Sequence, residues 1–213
     1  MRIPLGLALA WLTFSLPAAA QIEVGGSAGA GISLGAPDPM LTPPKRGSGA
    51  PALESGLTDA QRATKMSIEL IDRVMDINLR APFILSCEVA RRLMELKSPG
   101  RIVNIASVAA YNYAGQGAAL YSVTKAGVVR LTEALAVEWA KFDINVNGIA
   151  PGAFESEMMD GMLARMGDIA AHYPRKRIGN PAQLDSTLLY LVGPASDAVT
   201  GTVIKVDDGQ GSR

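Results

Sequence analysis

Apolar and polar positions fall into two periods from residue 59 onward, and the periods alternate along the chain. Thr58 or Ser67 can cap a first helix containing Ile68, Ile71, Val74 and Met75. A longer helix is predicted after Asn78, with Pro82 accommodated in its first turn. Leu85, Val89, Leu93 and Leu96 form its apolar stripe, with Arg91, Arg92 and Glu95 off it, and Pro99-Gly100 ends it. Arg101 to Ser107 is a short β-rich run. The strongest helical pattern covers 121–142, with Val128, Leu131, Leu135 and Trp139 on one face. Ile144 to Ile149 reads as a second strand, closed by Pro151-Gly152. A Met-rich helix follows over 157–166, another opens at Asn180-Pro181 and runs through Leu191, and Val203 to Val206 reads as a last strand.

Strands alternating with helices of several turns predict an α/β fold, doubly wound around a parallel sheet covered on both faces. A ligand crevice in such a fold lies at the carboxyl ends of the strands, here near Ser107 and Pro151.

The first 61 residues have a different character. Residues 1–20 carry Arg2, an apolar run from Leu5 to Leu16 and the small residues Ala18 to Ala20, the pattern of a secretory signal. The run is too short, with Pro4 and Pro17 beside it, for a stable membrane span. Residues 21–61 are rich in Gly, Ala, Pro and Ser and read as a disordered linker. Gly25, Gly29 and Gly31 have the spacing of a phosphate-cradling turn, yet Gly35, Pro37 and Pro39 leave no helix of useful length behind it, so we read a chance match.

Twenty basic residues balance twenty acidic ones, so no global field draws the chain to nucleic acid or to an anionic membrane. A single cysteine, Cys87, excludes an intrachain disulfide framework, and with a single histidine, His172, it gives no metal-ligand set. Cys87 reads as a small packing hydrophobe and His172 as a surface residue beside the basic run Arg175 to Arg177.

The candidate chemistry lies at the strand ends. Tyr121 and Lys125 are four residues apart, one helical turn, and so share a face. An ammonium beside a phenol favours the phenolate, which predicts a Tyr121 pKa lowered from about 10 and a side chain able to act as acid and base. Ser107 can bring its hydroxyl into the same crevice to hold a carbonyl oxygen. A Tyr–Lys pair taken alone is a weak signal and more often a surface pair.

Five ordered blocks raise that signal: DRVMDINLRAPF at 72–83, GRIVNIAS at 100–107, YSVTKAGVVRLTEALAVEWA at 121–140, INVNGIAPGAFESEM at 144–158 and GTVIKVDDG at 201–209. Together they resemble the short-chain dehydrogenase/reductase family of Rossmann-fold enzymes. The resemblance implies an NAD(P)-dependent oxidoreductase that moves hydride between nicotinamide and a carbonyl or secondary alcohol. It implies Tyr121 as the acid/base, Lys125 as the residue that tunes it and holds the nicotinamide ribose, Ser107 as the orienting hydroxyl, and Asn78 as the holder of a water reaching the lysine. Pro151, Gly152, Phe154 and Ser156 match the loop around the nicotinamide. A flexible lid over the substrate is implied for Met158, Met159, Met162 and Met166, ordinary helix packing being the alternative.

Three departures from the family pattern stand out. The stretch from Ser107 to Tyr121 is one residue longer than usual, and Asp208 replaces a glycine. The family's opening strand, TGxxxGxG turn and NNAG segment have no counterpart in residues 1–61, which predicts a sheet incomplete at its N-terminal half. The residue that would choose NAD over NADP belongs to that part, so either cofactor fits. A frameshift, deletion or misplaced start before Arg62 accounts for the join better than export of a half-enzyme. This favours a cytoplasmic location, with a secreted or periplasmic one if the signal is genuine. The alternative to an oxidoreductase is a non-catalytic fragment that keeps the family's association surfaces. Either way the expected partners are a small-molecule substrate, where there is catalysis, and further copies of the chain, forming a homodimer or homotetramer through helices 80–97 and 121–142.

Overall fold

The computed structural model describes residues 62–211 apart from 114 and 116. Thr58, the glycine spacing at 25–31 and the signal-like and linker segments lie outside the described residues. Two helices come first, α1 (Ile68–Met75) and α2 (Ala81–Glu95), joined without a break by a π-helical turn, Asp76–Arg80. Ser67 starts α1 by accepting the Leu70 N–H on its hydroxyl at 3.2 Å. Then follow β1 (Gly100–Ile105), α3 (Ala119–Trp139), β2 (Ile144–Pro151), α4 (Glu157–Met166), α5 (Asp185–Val192) and β3 (Val203–Val206).

The three strands form a parallel sheet in the order β1-β2-β3, with Ile102 opposite Val146 and Ile149 opposite Ile204. Alternation along each strand divides the core between two faces. Ile102, Ile144 and Val146 pack with Ala90 and Leu93 of α2 and with Leu131, Leu135 and Trp139 of α3. Val103 and Ile149 pack on the other face with Leu188, Leu191 and Val192 of α5. The doubly wound α/β arrangement expected from the pattern is therefore present. All four stripe residues of α3 are buried as expected.

The stripe expected on α2 packs only in part: Leu93 is buried and Val89 lies against the core. Leu85 and Leu96 stay 43% and 53% exposed, while Pro82, Ser86, Ala90 and Leu93 are buried. Small residues let the helix lie close to the sheet, and Ser86 is matched there by a polar partner. Its hydroxyl donates to Asn104 Oδ1 at 3.2 Å, and Asn104 Nδ2 donates to Thr132 Oγ1 at 3.1 Å. This buried chain of hydrogen bonds joins α2, β1 and α3 and has every member partnered.

No helix among the described residues is long and apolar enough to cross a membrane. Cys87 is half-buried with its thiol pushed up by burial, in keeping with a packing role, and His172 ends a short 3-10 turn in an exposed position.

Candidate active site

Four side chains singled out in the sequence converge at the carboxyl end of β1. Ser107 stands just past the strand, extended, with its hydroxyl accepting the Ala109 N–H at 3.1 Å. Tyr121 is buried in the first turns of α3 and hydrogen-bonds to Ser107. Lys125, one turn further, is also buried and donates from Nζ to the Ile105 carbonyl at 3.0 Å. Its Nζ lies 5.7 Å from the centre of the Tyr121 ring. Asn78 sits in the π-helical turn, buried, and donates from Nδ2 to Thr124 Oγ1 at 3.4 Å; Thr124 donates in turn to the Tyr121 carbonyl at 2.8 Å.

Gly115, Gly117 and Ala118, just before α3, each have positive φ, at 78°, 82° and 84°. Ala118 bears a conformation that glycine adopts freely. The tyrosine still reaches Ser107.

The expected electrostatics need correction. Burial pushes the Tyr121 phenol above its ordinary 10, and the Ser107 hydrogen bond only partly opposes it. Burial also drops Lys125 from 10.5 to about 8. The sequence supplied the proximity of ammonium and phenol, but removal of both from water outweighs their mutual effect here. The lysine stays largely cationic at neutral pH, held by the Ile105 carbonyl, and so brings positive charge into the crevice.

The loop after β2 is gripped from two sides. Gly152 N–H donates to the Val206 carbonyl at 2.9 Å, and Ala153 N–H donates to Gln210 Oε1 at 2.6 Å. Gly179 N–H donates to the Ala153 carbonyl and Glu155 N–H to the Gly179 carbonyl, both at 2.9 Å. This parallel bridge turns the N–H and C=O of Phe154 to the side away from Gly179. Ser156 caps α4, accepting the Met159 N–H at 3.2 Å and donating to the Phe154 carbonyl at 3.4 Å. The Ser156 hydroxyl of the expected nicotinamide loop is thus already engaged at a helix start. Met159 of α4 is buried and Met166 exposed.

Gly152 has no room for a side chain. An added Cβ would lie 2.5 Å from Gln210 Oε1 and 2.9 Å from the Asp207 Cα. Gly152→Ala is expected to cost about 2 kcal/mol, since backbone must move, and chemical denaturation will read this as a lowered midpoint.

The family model described as Enoyl-(Acyl carrier protein) reductase matches residues 53–210. The chain belongs to the short-chain dehydrogenase/reductase family. It is 38% identical over 157 residues to an acetoacetyl-CoA reductase of Acinetobacter sp. (strain RA3849), a match covering 73% of this chain and 62% of the relative. It is 34% identical over 158 residues to a 2-dehydro-3-deoxy-D-gluconate 5-dehydrogenase of Escherichia coli (strain K12), with the same coverage of 73% and 62%. Among solved structures, a 4-hydroxyisoleucine dehydrogenase mutant complexed with NADH and succinate superposes with a TM-score of 0.67 at 32% identity, over 73% of this chain and 65% of that one. An actinorhodin polyketide ketoreductase variant with NADPH gives 0.67 at 31%, over 71% and 63%. The chain thus spans a little under two thirds of the length of these short-chain dehydrogenase/reductase relatives. Their bound NADH and NADPH do not separate the two cofactors for this protein.

Thr124, the Ile105 carbonyl and the Ser86–Asn104–Thr132 chain were not anticipated. Only Asn104, polar within the apolar run from Ile102 to Ile105, left a trace in the sequence.

Proposed function

We propose that this protein is an NAD(P)-dependent oxidoreductase that interconverts a carbonyl and a secondary alcohol. The observation that supports this reading best is the buried Tyr121 hydrogen-bonded to Ser107, with a cationic Lys125 one helical turn away. The same group weighs against the non-catalytic alternative. The residues present suit the nicotinamide end of the cofactor: Lys125 supplies an ammonium donor, Phe154 turns backbone polar groups away from its bridge, and Pro151, Gly152 and Ser156 fix that loop. Reduced nicotinamide supplies the hydride when bound.

In the reductive direction Ser107 donates a hydrogen bond to the carbonyl oxygen and orients it. Tyr121 then gives its hydroxyl proton to that oxygen as negative charge develops there, and is left as phenolate. The Lys125 ammonium stabilises the phenolate, and Asn78 with Thr124 holds the turn of α3 that carries both. Oxidation runs the same steps in reverse, Tyr121 receiving the proton. Burial keeps the phenol protonated, ready to donate.

Two finer points belong to this reading. The protein acts as a homodimer or homotetramer through α2 and α3, whose outer faces expose Phe83, Leu85, Val123 and Val137. It works in the cytoplasm, where reduced nicotinamide is at hand.

The purified chain is expected to consume NADH or NADPH in the presence of acetoacetyl-CoA or a keto-sugar acid. Ser107→Ala should lower kcat about 100-fold while changing cofactor affinity less than about two-fold, because its hydroxyl is assigned to the reacting oxygen. Folded protein that turns over neither cofactor with any carbonyl substrate would refute the proposal.

A further inference from the structure

Three segments meet around the loop at 151–156: the loop itself, the stretch 173–180 and the turn 207–211 after β3. The last is a rigid turn. The buried Asp207 carboxylate accepts the N–H groups of Gly209 at 3.1 Å and Gly211 at 3.0 Å. Inside it Asp208 has φ 53°, the left-handed region that glycine adopts without strain, and glycine is what the family usually carries there. An aspartate in that place exchanges backbone ease for a charge, and the charge has partners. Arg177 grips it with both Nε (2.5 Å) and Nη2 (3.1 Å), and Arg175 adds Nη1 at 3.0 Å. Although both arginines are largely exposed, the Asp208 side chain is only 19% so. Arg177, hydrogen-bonded to it, holds its carboxyl below the usual carboxylate range, with Arg175 acting the same way.

These ion pairs tie the turn to the 173–180 stretch, and each of those segments separately grips the loop. Gln210 takes the Ala153 N–H from one side, and Gly179 pairs with Ala153 and Glu155 from the other. The ring of contacts is therefore closed. It is not solidly packed: Phe154, Arg177, Gln183, Val206, Asp208 and Gln210 line a cavity of about 220 Å³. Where packing is open, the hydrogen bonds and ion pairs set the local rigidity.

We propose that Asp208 is a positioning residue, a latch that with Arg175 and Arg177 locks the loop carrying Phe154 and Ser156 in place for the nicotinamide. The proposal deepens the function proposed above and rests on that reading of the loop.

The test is Asp208→Asn in the full chain. Asparagine keeps the size and tolerates the left-handed backbone, so the charge alone is lost. Hydrogen exchange at the Gly179 and Glu155 amides should quicken about ten-fold, with the amides of β1 and β2 unchanged. Arg177→Gln should quicken the same two amides, but less, because the Arg175–Asp208 pair remains, and the double variant should exchange no faster than Asp208→Asn, which already lacks both pairs. The Kd for NADH or NADPH should rise about ten-fold while kcat changes less than about two-fold. Exchange at both amides within about two-fold of wild type would overturn the latch. So would a uniform rise through the sheet, which means general destabilisation. If wild type binds neither cofactor, the functional reading fails while the exchange result still decides the latch.

Discussion

Tyr121→Phe is expected to lower turnover about 1,000-fold or more while leaving cofactor affinity within about two-fold. The substitution removes a single oxygen. Phe fills the same buried volume, so the start of α3 and the Lys125–Ile105 hydrogen bond stay in place. What disappears is the only group assigned to exchange a proton with the substrate oxygen. The hydrogen bond with Ser107 goes too, a loss of about 1 kcal/mol of stability. Steady-state assays in both directions with fluorescence titration of the cofactor separate the two effects. A variant keeping a tenth of the wild-type rate would remove Tyr121 from the mechanism. The pH profile of the wild type carries the companion signature. Burial holds the free phenol above its ordinary 10, so a rate of alcohol oxidation that rises below that pH reports the lysine and bound nicotinamide together drawing it down.

Lys125→Met should have the opposite sign on stability and the same sign on activity. The folded protein holds this lysine at about 8 against an ordinary 10.5. Between those values the unfolded chain binds more protons than the folded one, so wild-type stability climbs as pH rises from about 8 to 10.5 and is lost again as pH falls. The climb is at most about 3 kcal/mol, the differential solvation of a buried ammonium. Methionine fills the site without that cost, but forfeits the charged hydrogen bond to the Ile105 carbonyl, about 1–2 kcal/mol. The net expectation near pH 7 is a gain of about 1–2 kcal/mol, or about 3–6 °C in Tm, and loss of the Lys125 contribution to the rise between about 8 and 10.5. Turnover should fall about 1,000-fold, because the phenolate left by proton donation loses its counter-charge. Calorimetry over the pH range checks the first part and kinetics the second. A variant less stable than wild type at neutral pH would show that the lysine holds β1 to α3 more than burial opposes it.

The sequence made α3 legible because one long helix buries one face, and Val128, Leu131, Leu135 and Trp139 lie along it. The stripe of α2 is legible only at Leu93 and Val89, and Leu85 and Leu96 depart from it for a physical reason. Leucines mark a helix face only when bulk is what packs, and here Ser86 and Ala90 let the helix close on the sheet instead. The Tyr121–Lys125 spacing revealed which groups meet but not in which direction their protons shift. That direction depends on the water excluded by β1, α1 and the π-helical turn, which no local pattern records. The Ile105 carbonyl is a backbone atom and leaves no mark at all. Arg177 and Asp208 stand 31 residues apart, so their pairing needed the fold.

The π-helical turn at Asp76–Arg80 has a consequence for the whole rod that it interrupts. Five buried positions of that rod, Val74, Asn78, Pro82, Ser86 and Ala90, each lie four residues after the last, before Leu93 closes the series three residues on. An ordinary α-helix advances about 40° too far at every such step, so five positions would spiral off the interior face. The wider turn winds fewer degrees per residue and takes back part of this precession midway. It therefore works as a phase corrector: it keeps a four-residue repeat facing inward over a length at which it would otherwise drift into solvent. Asn78 occupies the correcting turn itself, so the residue aimed at the site and the timing of the helix are set by the same few peptide units.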